Sequence, residues 1–348
     1  MFLFDAFTSN FIINSEKLNC YKIEQFYYEL KKNCSGKHQF KSGFPTVEVY
    51  TDKFGLRTSK NSTKTKTKEN VLVFGDSMTF GVGLKYEDTF VGLLEKNNPE
   101  YNFYNYAVGS YSPTVHLYKL KEAIKSKFLP KKIILFLDLS DIYDEGDRWF
   151  FDSKTQTPKL KTDVTYRTRV VQKKKFVHRN FKITKSIIDK TKYNLRLLRN
   201  KINQSKNNGG SRIKIVKTSL QAQFTYTKIE DLHKDYWTKE IFFKGLKKIK
   251  TNIDEISKIA KNYNSDFYLV IYPFGETIEY GQNDFNWENF VKELCKNDTC
   301  NLVNTFEQFQ KRKKEDKFWY SNLYFIGDEH LNKNGNAFVT NVLLKEIF

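Results

Sequence analysis

Hydrophobic residues lie along this chain in short runs that polar segments separate. The runs Val71–Phe74, Ile133–Leu137 and Phe267–Tyr272 are rich in β-branched and aromatic residues and stop at glycine, aspartate or proline, which is typical of buried strands. Apolar residues recur at helical spacing within 241–261, and again between 338 and 347. Strands that alternate with helices predict a parallel sheet covered by helices.

Two segments depart from this alternation. Residues 1–69 are predicted to form an N-terminal extension that carries a strand near 46–50 and ends in a polar linker at 58–70. Residues 146–235 are rich in lysine and arginine and are predicted to be a mainly helical basic insertion. We therefore expect one α/β domain over residues 70–348, interrupted by that insertion.

The first predicted strand ends in a candidate nucleophile. Gly75, Asp76 and Ser77 follow it directly, and an open α/β sheet carries its active site beyond the carboxyl ends of its strands. A serine hydroxyl attacks a carbonyl only with the help of a general base and an orienting carboxylate. A serine at this place also has a simpler interpretation, since serine often caps the start of a helix.

The partners that such a serine needs occur together near the C-terminus. Asp328 and His330 share a loop that precedes the predicted closing helix. If Asp328 holds the imidazole by Nδ1, then Nε2 of His330 can face Ser77 and accept its proton. The sequence therefore predicts a Ser77–His330–Asp328 triad, built from opposite ends of the domain.

Four segments carry a resemblance to a known family. They are Gly75–Gly83, Tyr106–Pro113, the strand end Leu137–Asp141, and Asp328–His330. In these blocks the chain resembles the SGNH (GDSL-type) hydrolase superfamily. The resemblance implies a flavodoxin-like three-layer α/β/α fold and ester cleavage through an acyl-serine, without metal or organic cofactor.

The resemblance also implies an oxyanion hole, formed by the backbone N–H groups of Ser77 and Gly109 with Ser140 as a third donor. Ser140 stands where the family commonly has asparagine, and Asp328 lies two residues before His330 rather than three. That shorter spacing is more like envelope members of the superfamily, including some polysaccharide O-acetyltransferases. Gly109 has a second interpretation as a turn glycine with positive φ.

The charge of the chain is relevant to a different class of partner, the nucleic acids. Its 59 lysines and arginines against 40 acidic residues give a formal net charge of +19, a balance common in nucleic-acid-binding proteins. The lysines are scattered along the whole length, however, and no nucleic-acid-binding motif accompanies them. We expect no specific nucleic acid partner, although an anionic polysaccharide is compatible with such a surface. The acidic residues 138–147 have no ligand spacing of a metal site.

Four cysteines occur as two local pairs, Cys20 with Cys34 and Cys295 with Cys300. Their spacing matches no zinc site, which favours two disulfides and a location in the periplasm or cell envelope, with buried free thiols and a cytoplasmic protein as the alternative. The apolar start of the chain lacks the basic region and the long apolar core of a signal peptide. No apolar run is long enough to span a membrane.

These observations favour an esterase or deacylase whose substrate is an acylated small molecule or glycan. The first alternative is an O-acyltransferase of a cell-envelope polysaccharide, which would use the same residues. The second is a catalytically inactive carbohydrate-binding protein on this fold, an alternative that the replacement at Ser140 leaves open.

Overall fold

The computed structural model describes residues 20–40, 44–161, 220–231 and 238–348, and the single positions 191 and 195. Most of the predicted basic insertion at 146–235 lies outside these residues, as does the apolar start of the chain. The strands of the described residues are β1 (Tyr21–Ile23), β2 (Tyr28–Leu30), β3 (Ser35–Gln39), β4 (Thr46–Thr51), β5 (Arg57–Thr58), β6 (Glu69–Phe74), β7 (Tyr101–Asn105), β8 (Pro130–Leu137), β9 (Trp149–Asp152), β10 (Thr157–Leu160), β11 (Asp266–Ile271) and β12 (Asn301–Asn304).

The α-helices of the described residues are α1 (Ser77–Phe80), α2 (Phe90–Asn97), α3 (Pro113–Lys125), α4 (Ser140–Tyr143), α5 (Leu220–Tyr226), α6 (Lys239–Asn262), α7 (Gly275–Tyr280), α8 (Trp287–Leu294), α9 (Phe306–Glu315), α10 (Trp319–Leu323) and α11 (Lys333–Glu346). A single π-helical turn, Asp144–Arg148, follows α4. None of the described helices is both long and apolar enough to cross a membrane.

Eight strands form one mixed sheet in the order β12-β11-β8-β6-β7-β5-β4-β3. From β7 to β12 all neighbours are parallel, and, when these five strands are numbered along the chain, their order in that direction is 2-1-3-4-5. This is the flavodoxin-like doubly wound order, so the predicted fold class is confirmed. β6 and β8 lie at the point where the strand order reverses.

Helices cover both faces of the parallel strands. The chain passes from β6 to β7 through α2, and then back past β6 to β8 through α3. Because such crossovers are right-handed, these two helices lie on opposite faces of the sheet. α11 packs on α2, and α6 packs on α3. The buried strands are continuous apolar runs, as expected for parallel strands covered on both sides.

The N-terminal segment extends this sheet. β5 pairs antiparallel with β7, and β4 and β3 follow it outward. β1 and β2 form a separate two-stranded hairpin. A second cluster of buried hydrophobic residues joins this segment to the loop after β7 and to β9, and it includes Tyr28, Tyr111 and Trp149. The boundary drawn at residue 69 stays a prediction, but the residues before it are packed against the candidate site.

Candidate active site

Ser77 is the first residue of α1, immediately after β6. The carboxylate of Asp76 caps this short helix by accepting from the backbone N–H of Met78 at 2.9 Å. The backbone N–H of Ser77 belongs to the first turn, where a helix provides no partner of its own. Gly75 permits the tight turn before the helix, because a Cβ at that position would lie 2.1 Å from Oγ1 of Thr79.

Three side chains from the two ends of the domain meet at this point. Oγ of Ser77 lies 2.8 Å from Nε2 of His330. On the other side of the ring, Nδ1 lies 2.5 Å from Oδ1 of Asp328. The same carboxylate oxygen accepts from the backbone N–H of His330 at 3.0 Å. Asp328 and His330 are buried, whereas Ser77 is partly exposed to a cavity.

The charge state of His330 follows from two opposing effects. Burial lowers the pKa of its imidazole, but the hydrogen bond and the negative charge of Asp328 outweigh burial and raise the pKa above the ordinary value. The ring edge also contacts Phe40, with the ring centroids 4.8 Å apart. A histidine held in this way is a stronger base than a free imidazole and presents Nε2 to the serine.

The loop after β7 brings Gly109 beside the serine. A Cβ built on Gly109 would lie 3.8 Å from the Cβ of Ser77. Positive φ occurs at the next residue, Ser110, with φ of 60°. Gly109 is not among the glycines with positive φ, so its interpretation as a turn glycine with positive φ is wrong. The left-handed residue of this loop is Ser110.

Side chains from three parts of the chain hold this loop in place. From the N-terminal hairpin, the Tyr28 hydroxyl donates to the carbonyl of Gly109 at 2.7 Å. From β9, Nε1 of Trp149 donates to the carbonyl of Ser110 at 2.7 Å. Further along, the fully buried carboxylate of Glu145 accepts from Ser112 and Thr114.

Lys248 of α6 balances the charge of Glu145. Its ammonium lies 3.0 Å from Oε2 of that carboxylate and donates to the carbonyls of Glu145 and Trp149. The acidic residues 138–147 thus include a carboxylate whose contacts are to the loop beside Ser77. Sequence reasoning gave no role to Tyr28, Trp149, Glu145 or Lys248, because none of them lies in a recognisable motif.

Ser140 begins α4, just beyond β8, and lines the same cavity as Ser77 and Gly109. Its hydroxyl donates to Oδ1 of Asp138 at 2.6 Å, and its backbone N–H donates to the same atom at 2.7 Å. Burial and the neighbouring Asp76 charge raise the pKa of Asp138, and burial together with the charge of Asp138 raises that of Asp141.

The cavity above the serine has a volume of about 580 Å³, within the range of small-molecule sites. Its walls come from the N-terminal hairpin, the π-helical turn and the loop of His330. Arg148 lies on one wall, 3.7 Å from the carboxylate of Asp144. Burial raises the pKa of Asp144 to about 7 even beside this guanidinium.

Asp328, Glu329 and His330 bring possible metal ligand atoms within 4.8 Å of one another. In the observed arrangement, however, Nδ1 of His330 is bonded to Asp328 and Nε2 faces Ser77. Both ring nitrogens are thus engaged as a triad requires.

All four cysteines are paired. Cys20 is bonded to Cys34, and Cys295 to Cys300. The first disulfide closes the β1–β2 hairpin beside the site, and the second lies at the C-terminal end of α8.

No protein-family model and no curated protein matches this sequence. Solved structures similar to it include the psychrotrophic esterase EstA from Pseudoalteromonas sp., with 13% identity over 80% of this chain and 97% of that chain, at a TM-score of 0.41. A G-D-S-L family lipolytic protein from Veillonella parvula has 11% identity over 80% and 98%, at 0.42. The acetylxylan esterase Axe2 from Geobacillus stearothermophilus has 13% identity over 82% and 96%, at 0.41. Similarity at this level leaves the activity of this chain to be inferred from its own site.

Proposed function

We propose that this protein is a serine hydrolase that cleaves ester bonds through an acyl-serine intermediate. The observation that carries the proposal is the unbroken chain from Ser77 Oγ through the His330 ring to Asp328, with separations of 2.8 and 2.5 Å. Such a chain supplies the three requirements of nucleophilic catalysis by serine: a nucleophile, a base, and a group that orients the base.

In the first step, Oγ of Ser77 attacks the ester carbonyl while Nε2 of His330 takes the hydroxyl proton. Asp328 holds the ring and stabilises the imidazolium that forms. The proton then passes from Nε2 to the departing alkoxide, which leaves as an alcohol. Water, deprotonated by the same nitrogen, attacks the acyl-serine. The bond between the acyl carbon and Oγ then breaks, Nε2 returns the proton to Oγ, and the acid is released.

The negative oxygen of each tetrahedral intermediate is assigned to the backbone N–H groups of Ser77 and Gly109. Ser140 is proposed as a third donor because it lines the same cavity. Its hydroxyl would have to rotate away from Asp138 to reach the oxyanion. The loss of one such donor typically lowers kcat by about 100- to 1,000-fold.

Replacement of the nucleophile tests the mechanism. Ser77→Ala and His330→Ala should each abolish hydrolysis of a short-chain aryl ester without loss of the folded state, and the double variant should lose little more, because the residues act as a unit. Ser153→Ala, at an exposed serine of the β9–β10 turn, is the matched control. Labelling by a fluorophosphonate should add mass to the Ser77 peptide alone, and full activity of a folded Ser77→Ala variant would refute the proposal.

A second candidate is acyl transfer to a glycan, in which a sugar hydroxyl replaces water in the deacylation step. The two-residue spacing from Asp328 to His330 favours this candidate. Candidate glycans added to the acylated enzyme decide between the two: an acylated glycan supports transfer, and free acid alone supports hydrolysis. If no reagent acylates Ser77, the result would support the alternative of an inactive carbohydrate-binding protein.

We propose an extracytoplasmic location from the two disulfides, since structural disulfides persist in oxidising compartments. Protein isolated from its native source should gain about 4 mass units on reduction, one for each thiol formed. Free thiols at all four positions in that material would contradict this location.

A further inference from the structure

The hairpin that the Cys20–Cys34 disulfide closes is joined to the sheet at one end and to the candidate oxyanion loop at the other. At its base, the backbone N–H of Cys34 donates to Oγ1 of Thr51 at 2.9 Å, and the carbonyl of Cys34 accepts from the Thr51 N–H at 2.9 Å. Thr51 ends β4 of the main sheet. The disulfide therefore links the start of the hairpin covalently to a point anchored on the sheet.

The far strand of the hairpin carries Tyr28, which is 8% exposed. Its hydroxyl donates to the Gly109 carbonyl at 2.7 Å, and its own carbonyl accepts from the Tyr111 hydroxyl at 2.7 Å. The Tyr28 ring also packs against those of Tyr111 and Trp149, at centroid distances of 5.7 and 5.6 Å. Burial raises the pKa of Tyr28 above its ordinary value, so the donor keeps its proton at neutral pH.

The loop needs such restraint for two reasons. Gly109 has no Cβ, so its peptide groups rotate more freely than those of other residues. Ser110 has φ of 60°, a conformation that a residue other than glycine keeps only when its surroundings impose it. Tyr28 and Trp149 bond the carbonyls on either side of this strained residue. The held carbonyl of Gly109 belongs to the Gly109–Ser110 peptide unit, and the Gly109 N–H belongs to the preceding unit, which is joined to it at the Cα of Gly109. Release of the carbonyls would free both units to rotate about this Cα and so to turn the N–H.

We propose that the hairpin is a positioning element of the active site: Tyr28 holds the Gly109 carbonyl and thereby fixes the loop that presents the Gly109 N–H to the oxyanion, and the Cys20–Cys34 disulfide keeps Tyr28 in place. This inference rests on the proposed esterase mechanism and adds a dependence on oxidation state. The oxidised protein is then the fast form of the enzyme. Reduction of the disulfide yields a slower form of the enzyme. In this reaction a phosphine supplies two electrons and takes oxygen from water, and the two cysteines become thiols.

Kinetics of single hydroxyl deletions test the role of Tyr28. Tyr28→Phe keeps the packed ring and removes only the hydroxyl, so kcat for a neutral aryl acetate should fall roughly 10- to 100-fold, because small displacements of a catalytic group are costly. KM should change by less than about threefold, since the oxyanion forms only after binding. Tyr27→Phe is the matched control, because the Tyr27 hydroxyl contacts the side chains of Tyr111 and Lys119, whereas the Gly109 carbonyl accepts from Tyr28.

The two disulfides provide a second matched pair. A phosphine should lower kcat of the wild type and of Cys295→Ser/Cys300→Ser alike, whereas Cys20→Ser/Cys34→Ser should be slow from the start and insensitive to the reagent. In the Cys20→Ser/Cys34→Ser background, Tyr28→Phe should lower kcat further by less than about threefold, since the effects of interacting groups do not add. If the disulfide were merely structural, its removal would lower the melting temperature without this coupling.

Hydrogen exchange provides a readout that needs no activity. Amides of residues 107–111 should exchange faster in Tyr28→Phe and in the reduced protein than in the oxidised wild type. If the oxidised wild type cleaves no ester, the esterase proposal fails and the exchange data still test the tether. If the wild type is active but Tyr28→Phe retains its kcat, or if verified reduction of Cys20–Cys34 in folded protein leaves kcat unchanged, this inference is overturned.

Discussion

At the scale of single residues, the state of His330 sets the pH dependence of the proposed reaction. Only the neutral ring accepts the serine proton. Burial lowers its pKa, but Asp328 raises it above the ordinary 6.5. Activity should therefore rise with pH through one ionisation whose midpoint lies above that value. The measurement is kcat/KM for an aryl ester against pH.

A change at Asp328 checks the origin of this midpoint. Asp328→Asn removes the charge that raises the pKa while burial continues to lower it. The midpoint of the residual activity should accordingly move to lower pH, together with a fall in kcat of several powers of ten. A wild-type profile that stays flat between about pH 5 and 8 would exclude a histidine base.

Ser140 is the residue whose proposed role is most exposed to experiment. If it is the third oxyanion donor, Ser140→Ala should lower kcat by about 10- to 1,000-fold with little change in KM. Ser140→Asn should retain more activity, because its amide can donate in the same place. An unchanged kcat for Ser140→Ala would restrict the serine to its observed bonds with Asp138.

At the scale of elements, the loop that carries Asp328 and His330 is held by the start of α11. The Asn332 side chain caps this helix by accepting from the N–H groups of Asn334 and Gly335, and its amide donates to the carbonyls of Ser321 and Tyr324 in and after α10. One side chain therefore joins the two helices that flank the loop of Asp328 and His330.

Removal of this cap should affect stability and rate together. Asn332→Ala should lower the free energy of unfolding by about 1–2 kcal/mol, the typical loss for a helix cap, and should lower kcat, because His330 lies two residues away. Chemical denaturation and ester hydrolysis measure the two effects. Asn334→Ala, which removes an exposed side chain next to the cap, should leave both nearly unchanged, and equal losses in the two variants would contradict the prediction.

At the scale of the whole molecule, the two disulfides should stabilise the fold unequally. Cys20–Cys34 closes a sequence separation of 14 and Cys295–Cys300 one of 5. A longer closed loop removes more entropy from the unfolded chain, about 3 kcal/mol against about 2. Cys20→Ser/Cys34→Ser should therefore lower the free energy of unfolding more than Cys295→Ser/Cys300→Ser. The reverse order in denaturant titrations would show that native contacts dominate this difference.

The sequence already determined the order of strands and helices in the core and the residues to examine as a triad. Both follow from local information, since buried parallel strands are continuous apolar runs and Ser77, Asp328 and His330 stand in short motifs. Tertiary structure alone decided that β3, β4 and β5 join the same sheet, that positive φ falls on Ser110, and that Tyr28 holds Gly109. The Tyr28 contact joins residues 81 positions apart, and such a pairing depends on how the hairpin packs against the loop, which no local pattern of hydrophobic and polar residues encodes.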